Sequence, residues 1–317
     1  MEQEKRLTGR VALVTASTRG IGLASAEALA GAGATVYLAA RNRERAEEAI
    51  TRIAENGGKA RYVHYDAQEP ASCGIMVETA ARTEGRLDIL VNNYGGTDVR
   101  LDRDVEHSDP DDFSRIVWNN LQSVFLPCKY ALPYLRRSGG GSIVNISTIG
   151  SVVPDLSRTA YCVSKAAVNA LTQNLAVQGA RWNIRCNAVL PGLIGTQAAL
   201  DNMPEAFRRS FLRHVPLGRV GTPEEVAAAV LFLAGDGASF ITGTLLEVAG
   251  GFGLPTPQYA EFADALCAAD EKVAEAERAA PCHEENTAGS SLEEEPLPAE
   301  EETLPAEEEP SPVKGRK

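Results

Sequence analysis

Tyr161 and Lys165 stand four residues apart in YCVSK, so on a helix their side chains leave the same face. The pairing has a chemical use. A phenol with an ordinary pKa near ~10 is a poor base at neutral pH, and an adjacent ammonium favours the phenolate. Tyr161 thereby qualifies as a general acid/base, with Lys165 as the group that tunes it. A Tyr-Lys pair is also common on amphipathic helices, so a third residue matters. Thr148 lies thirteen residues before Tyr161, at the end of an expected strand, and its hydroxyl can both donate and accept. Ser147 would face the other side of that strand by the two-residue alternation, which favours Thr148.

A second chemical feature is TASTRGIG, residues 15–22, which has the shape of a phosphate-cradling turn between a strand and a helix. Glycines there let backbone amides approach a pyrophosphate and let the helix N-terminus face its charge. Ala16 occupies the place of the motif's first glycine, while Gly20 and Gly22 remain. Taken alone, a tight turn with no ligand fits the fragment nearly as well.

The elements that must position these residues follow from alternating short aliphatic runs and longer helical patterns. VALVTA (11–16), TVYLAA (35–40), ARYVHYDA (60–67), LDILVNN (87–93), SIVNIST (142–148), IRCNAVLPG (184–192) and TLLEVAG (244–250) read as strands. Runs this continuously apolar are buried on both faces, as in a parallel sheet covered by helices. Long helices are expected at about 111–137, 159–181 and 223–235. The reading is an α/β fold, a doubly wound parallel sheet of Rossmann type, forming one domain over residues 1–258. Residues 259–280 make a C-terminal extension with a helical stretch, and residues 281–317 a disordered tail.

Composition sharpens that division. Fifteen acidic and five basic residues from Asp270 onward account for ten of the twelve net negative charges, so the rest of the chain is nearly neutral. EEEPLPAEEETLPAEEEP repeats every seven residues, but its prolines and missing apolar seam argue for disorder and against a coiled coil. The acidity speaks against a nucleic-acid partner. No apolar run is long enough to span a membrane, and MEQEKRLTGR lacks the apolar core of a signal peptide, so a cytoplasmic chain is expected. Six scattered cysteines without C-x-x-C spacing suggest reduced thiols and no metal site.

TASTRGIG, Asp66, NNYG at 92–95, Asn120, Thr148, YCVSK and PGLIGT at 191–196 stand in one order along the chain. Together they resemble the short-chain dehydrogenase/reductase family, over nearly all of residues 7–251. That resemblance implies a nicotinamide cofactor. It makes Tyr161 the acid/base, Lys165 the residue that lowers its pKa and holds the ribose, and Thr148 the group that orients the substrate oxygen. Thr148 replaces the family's usual serine, which adds a methyl and a stiffer side chain. Asn120 matches the asparagine that links the lysine to a water chain, with Asn119 as the alternative if the register slips by one.

For the cofactor, the resemblance points to Ser17, Thr18, Arg19, Gly20, Ile21 and Gly22 in the first turn, and to Asp66 and Ala67 at the adenine. Asn93, with Tyr161 and Lys165, and Ile194 with Thr196 complete the set, Thr196 as donor to the carboxamide. NAD users in the family carry an acid at the end of the second strand; here Ala40 stands there, followed by Arg41. Arg19 and Arg41 therefore suit the 2′-phosphate of NADP, and NAD is the lesser fit. Arg43 alone reads as solvated. The family also implies a homotetramer.

Within the family, NISTIGSVVPDLSRTAYCVSK, ILVNNYGGT and IRCNAVLPGLIGTQAAL are most similar to bacterial 7α-hydroxysteroid dehydrogenases, including the unusual Tyr94 and Thr148. The expected substrate is a bile acid or related steroid, with a 7α- or 12α-hydroxyl interconverted with the ketone. Residues 197–217 read as an amphipathic lid in which Leu200, Met203, Phe207 and Phe211 cover an apolar ligand. Arg208, Arg209 and Arg213 either meet a carboxylate or form a solvated face, and His214 has no partner in view. A 3-oxoacyl-thioester reductase would share every catalytic residue, and a non-enzymatic binding protein could reuse the fold.

Overall fold

The computed structural model describes residues 6–200, 203–267 and 272. Seven parallel strands form one sheet in the order β3-β2-β1-β4-β5-β6-β7. They are β1 (Val11–Thr15), β2 (Thr35–Ala40), β3 (Lys59–His64), β4 (Ile89–Asn92), β5 (Gly141–Ile146), β6 (Ile184–Pro191) and β7 (Leu245–Val248). Among the described residues, the α-helices between them are α1 (Gly20–Gly31), α2 (Arg43–Glu55), α3 (Pro70–Glu84), α4 (Pro110–Arg137), α5 (Thr159–Gly179), α6 (Gln197–Leu200), α7 (Glu205–Leu212) and α8 (Pro223–Ala234). The doubly wound fold read from the sequence is the fold observed.

Strand alternation divides the core. Val11 and Leu13 of β1 join the cluster packed under α3, α4 and α5, with Met76, Val124 and Val168. Ala12 and Val14 point the other way, to Leu29, Ile53 and Val230 of α1, α2 and α8. Both edges depart from the expectation of full burial: β3 buries only Val63, and no residue of β7 is fully buried. Edge strands lack a neighbour on one side and meet solvent there.

Helix starts carry their own signals. Asn42 accepts the amide of Arg45 at 2.8 Å to cap α2, Asp109 caps α4 ahead of Pro110, and Thr222 with Glu225 forms a capping box on α8. The expected helix over 159–181 ends at Gly179, where the chain tightens into a 3-10 turn, Ala180–Trp182, before Asn183 turns it left-handed at a φ of 56°.

The chain divides into two compact units, residues 1–265 and 266–317. The domain expected to close at residue 258 thus runs seven residues further, through a helix that begins at 259 and buries Ala260 completely. Of the second unit, Leu266, Cys267 and Lys272 are described, all helical. The expected disordered tail, 281–317, lies outside the described residues.

Candidate active site

The strand order reverses between β1 and β4, and in open α/β sheets the crevice at such a point takes ligands. Thr15 and Asn93 meet there. The Asn93 amide N–H donates to Thr15 Oγ1 at 2.9 Å, and its side-chain nitrogen donates to the carbonyls of Thr15 and Ala16 at 3.2 and 3.1 Å. This ties the first turn to the end of β4. Ala16 itself sits at a φ of 52°, a left-handed conformation that suits the glycine it replaces.

A cavity of about 1560 Å³ opens along these strand ends. That exceeds the ~300–1,000 Å³ of a pocket for one drug-sized ligand, and it has room for a dinucleotide together with a second molecule. Thr18, Arg19, Gly20 and Ile21 line it, beside the N-terminus of α1, where Arg19 makes no side-chain cap and leaves the first amides for an anion. Ser17 and Gly22, both expected at the cofactor, are instead buried behind the turn. A Cβ on Gly22 would lie 2.4 Å from Asn93 Nδ2 and 2.5 Å from the Ala16 carbonyl, so this glycine permits close packing. Thr196 closes the turn from the far side, its Cγ2 3.1 Å from where a Gly20 Cβ would stand, and Ile194 lines the same wall.

At one end of the cavity stand Ala40, Arg41, Asp66 and Ala67. Arg41 Nη1 lies 3.9 Å from Asp66 Oδ2, and Asp66 Oδ1 accepts the Gln68 amide at 2.9 Å. Arg45, which the sequence reading missed, lines this end too, because the Asn42 cap starts α2 so that its third residue faces back toward Arg19. Arg43 turns away, bonded to Glu47 at 2.8 Å and stacked over Tyr62, as its solvated reading expected.

Tyr161, Lys165 and Thr148 come together in the middle. Burial pushes the phenol of half-buried Tyr161 up to about 12, with the Arg158 guanidinium and the Thr148 hydroxyl acting against that rise. Lys165 is buried, and its Nζ donates to the carbonyl of Ile146 at 2.8 Å and of Tyr94 at 3.3 Å. Desolvation brings this amine down to about 8. The ammonium was expected to depress the phenol. Here it is held by two carbonyls, 5.9 Å from the tyrosine ring centroid, and burial dominates. Ser147 faces inward, donating to the Lys165 carbonyl at 3.2 Å, while the Thr148 hydroxyl accepts the Gly150 amide at 3.3 Å.

Asn120, and not Asn119, faces the site. Its side chain closes a ring with Gly96, accepting the amide and donating to the carbonyl, each at 3.0 Å, and also donates to the Ile116 carbonyl at 3.1 Å. These side-chain bonds are all to backbone. The effect is to fix the chain at Gly95, whose Cβ would stand 2.5 Å from Lys165 Nζ.

The other end is apolar. Met203, Phe207 and Phe211 line it as the lid reading expected, and Phe211 stacks on Phe252 at 4.5 Å. The Leu200 side chain lies outside the described residues. Arg208 pairs with Glu205, Arg213 with Asp264 at 2.6 Å, and Arg209 is exposed, and none of the three lines the cavity. Of the two readings offered for them, this arrangement fits the solvated face, with protein acids holding two. His214, Tyr259 and Arg158 line the cavity instead. Among the described residues no group of three His, Cys, Asp or Glu side chains could hold a metal ion, and no helix is long and apolar enough to cross a membrane.

A family model described as enoyl-(acyl carrier protein) reductase matches residues 15–253. The 7α-hydroxysteroid dehydrogenase of Clostridium sardiniense is 63% identical over 258 residues, 81% of this chain and 98% of that protein. The enzyme of the same name from Paraclostridium sordellii is 48% identical over 81% of this chain and 97% of its own length. Among solved structures, a 7α-hydroxysteroid dehydrogenase in complex with NADH and 7-oxo glycochenodeoxycholic acid aligns with a TM-score of 0.75 and 32% identity, covering 78% of this chain and 96% of the other. Likeness of this extent, with a family match over residues 15–253 that includes most of the cavity lining, places the chain in the short-chain dehydrogenase/reductase family.

Proposed function

We propose that this protein is an NADP-dependent hydroxysteroid dehydrogenase that interconverts the 7α-hydroxyl of a bile acid with the 7-ketone. The observation that carries the reading is the position of Tyr161 and Thr148 between a cation-lined and an aromatic-lined part of one cavity. The named activity of the two relatives supports the choice of 7α over 12α.

In oxidation Tyr161 acts as the phenolate, whose Oη takes the proton of the substrate hydroxyl, and in reduction the phenol gives that proton to the ketone oxygen and is left as the phenolate. The cofactor, when bound, supplies the hydride acceptor for one direction and the donor for the other. Thr148 holds the substrate oxygen through its hydroxyl. Lys165, reaching the cavity beside Tyr94, holds the ribose, and Asn120 keeps the Gly95–Gly96 backbone in place against it. Thr18, Gly20 and Ile21 offer the turn to the pyrophosphate, Asp66 and Ala67 take the adenine, and Asn93, Ile194 and Thr196 frame the nicotinamide end. Arg19, Arg41 and Arg45 supply three cations for a 2′-phosphate, and no carboxylate occupies position 40 to repel it. The exposed apolar residues Trp118 and Phe125 of α4, with Val163 and Val177 of α5, suit a homo-oligomer.

A second reading, reduction of the ketone of a 3-oxoacyl thioester, would use the same catalytic residues, and the matched family's description also names a reductase of acyl-carrier substrates. Purified protein assayed with chenodeoxycholate, deoxycholate and acetoacetyl thioester, each with NADP and NAD, separates them. Turnover of chenodeoxycholate with NADP is expected; turnover of the thioester alone would overturn the assignment, and deoxycholate alone would move it to 12α. Tyr161→Phe is expected to lower kcat by about 10²–10⁴-fold with cofactor affinity retained.

A further inference from the structure

α5 begins without a cap of its own. The residue before it, Arg158, is left-handed at a φ of 61°, and its side chain makes no capping bond. The first amides of a helix have no partner inside it and must be satisfied elsewhere. Here all of them go to one loop, the segment between β4 and α4. The Arg158 amide donates to the Asp102 carbonyl at 3.2 Å and the Thr159 amide to the Arg103 carbonyl at 3.3 Å. The Ala160 amide donates to Asp102 Oδ1 at 2.8 Å and the Tyr161 amide to Asp102 Oδ2 at 3.0 Å.

Asp102 is 1% exposed, and besides the two amides its Oδ2 accepts the Thr97 hydroxyl at 2.7 Å. Thr159 adds a side-chain bond to the Arg103 carbonyl at 2.7 Å. A carboxylate buried against a helix N-terminus is stabilised by amides that point at it, and it fixes them in return. The beginning of the same loop grips the helix one turn later, where the Tyr94 carbonyl accepts from Lys165 at 3.3 Å. One loop thus holds both ends of the Tyr161–Lys165 face.

We infer that Asp102 is a positioning residue: as the detached N-cap of α5, its carboxylate sets the backbone at Tyr161 and so the placement of the phenol over the reacting oxygen. This rests on the reading of Tyr161 as the acid/base. Misplacement of a catalytic group by about 1 Å costs on the order of 10²-fold in rate, so the effect is on kcat.

The test is a double-mutant cycle on the full-length protein, with steady-state kinetics and cofactor affinity by titration. Asp102→Ala is expected to lower kcat by about 10²-fold with cofactor affinity within twofold, and Asp102→Asn, which keeps one acceptor, to recover about tenfold of that. In a Tyr161→Phe background, Asp102→Ala should have no further effect on the residual rate, because the residue acts through the phenol. A general structural role would instead lower the rate again in that background and weaken cofactor binding, and either result overturns the inference. So does an Asp102→Ala variant with wild-type kcat. If Asp102→Ala does not fold, Thr97→Val removes one bond to the same carboxylate without touching α5. It should lower kcat several-fold in the parent and not at all in Tyr161→Phe, and a parent-like kcat would overturn the inference. Should Tyr161→Phe itself retain full turnover, the reading of the site falls first, and that outcome is distinct from failure of Asp102 alone.

Discussion

Ala16 carries a backbone conformation that costs an L-residue roughly 1–2 kcal/mol, and it does so where Asn93 clamps its carbonyl. Glycine at this position would relieve that strain and lose part of the gain to a more flexible unfolded chain. Ala16→Gly is therefore expected to raise stability by about 0.5–1 kcal/mol in denaturant titration, with kinetics unchanged. Lys165 offers a test of opposite character. Its amine falls to about 8 in the fold against the ordinary value of 10.5, so below pH 8 both states hold the proton and the penalty of burying charge is fully present. Between pH 8 and 10.5 only the unfolded chain keeps it, and stability rises with pH by up to about 3 kcal/mol. Urea titration at pH 7.5 and 10 should find this rise in the parent and not in Lys165→Met, which also leaves the carbonyls of Tyr94 and Ile146 without their donor. The spacing of Tyr161 and Lys165 was legible because it is local. The carbonyl partners of Lys165 were not, since backbone groups 71 and 19 residues away carry no sequence signal.

Helices and strands came out of the sequence nearly whole, because each buries an apolar pattern of its own period. Val11 to Thr15 is apolar enough to be buried throughout, whereas β3 and β7 had the right composition and the wrong place, at the edges. Element ends were harder. α5 takes its cap from Asp102, 58 residues from Ala160, and nothing near Arg158 announces that. α7 shows a related limit: its aromatic face was readable from Phe207 and Phe211, but its arginines were drawn to Glu205 and Asp264, and the choice depended on where the chain folds back. Phe211 stacked on Phe252 forms the apolar wall at this end. Phe211→Ala removes that half-buried ring and is expected to raise KM for the steroid about tenfold, equivalent to about 1.4 kcal/mol, while KM for the cofactor stays within twofold.

At the scale of the molecule, the compact unit ends seven residues beyond the expected boundary, and those residues carry Tyr259 to the cavity and Asp264 to Arg213. Truncation experiments should separate the two parts of the C-terminal region. Removing residues 281–317 is expected to leave kcat and KM within about twofold, whereas ending the chain at 258 exposes the packing around Ala260 and should cost about 1–3 kcal/mol of stability together with steroid affinity. The pocket as a whole joins distant parts of the chain: Asn93 is bonded to Thr15 across 78 residues, and Thr196 closes over Gly20. A polypeptide leaving the ribosome therefore has β1, β2 and β4 ready to pair long before β5 arrives to cover the open edge of β4. That unpaired edge can recruit another nascent chain. For anyone producing the protein, the vulnerable interval is the translation of residues 93 to 146, and slower synthesis lengthens it.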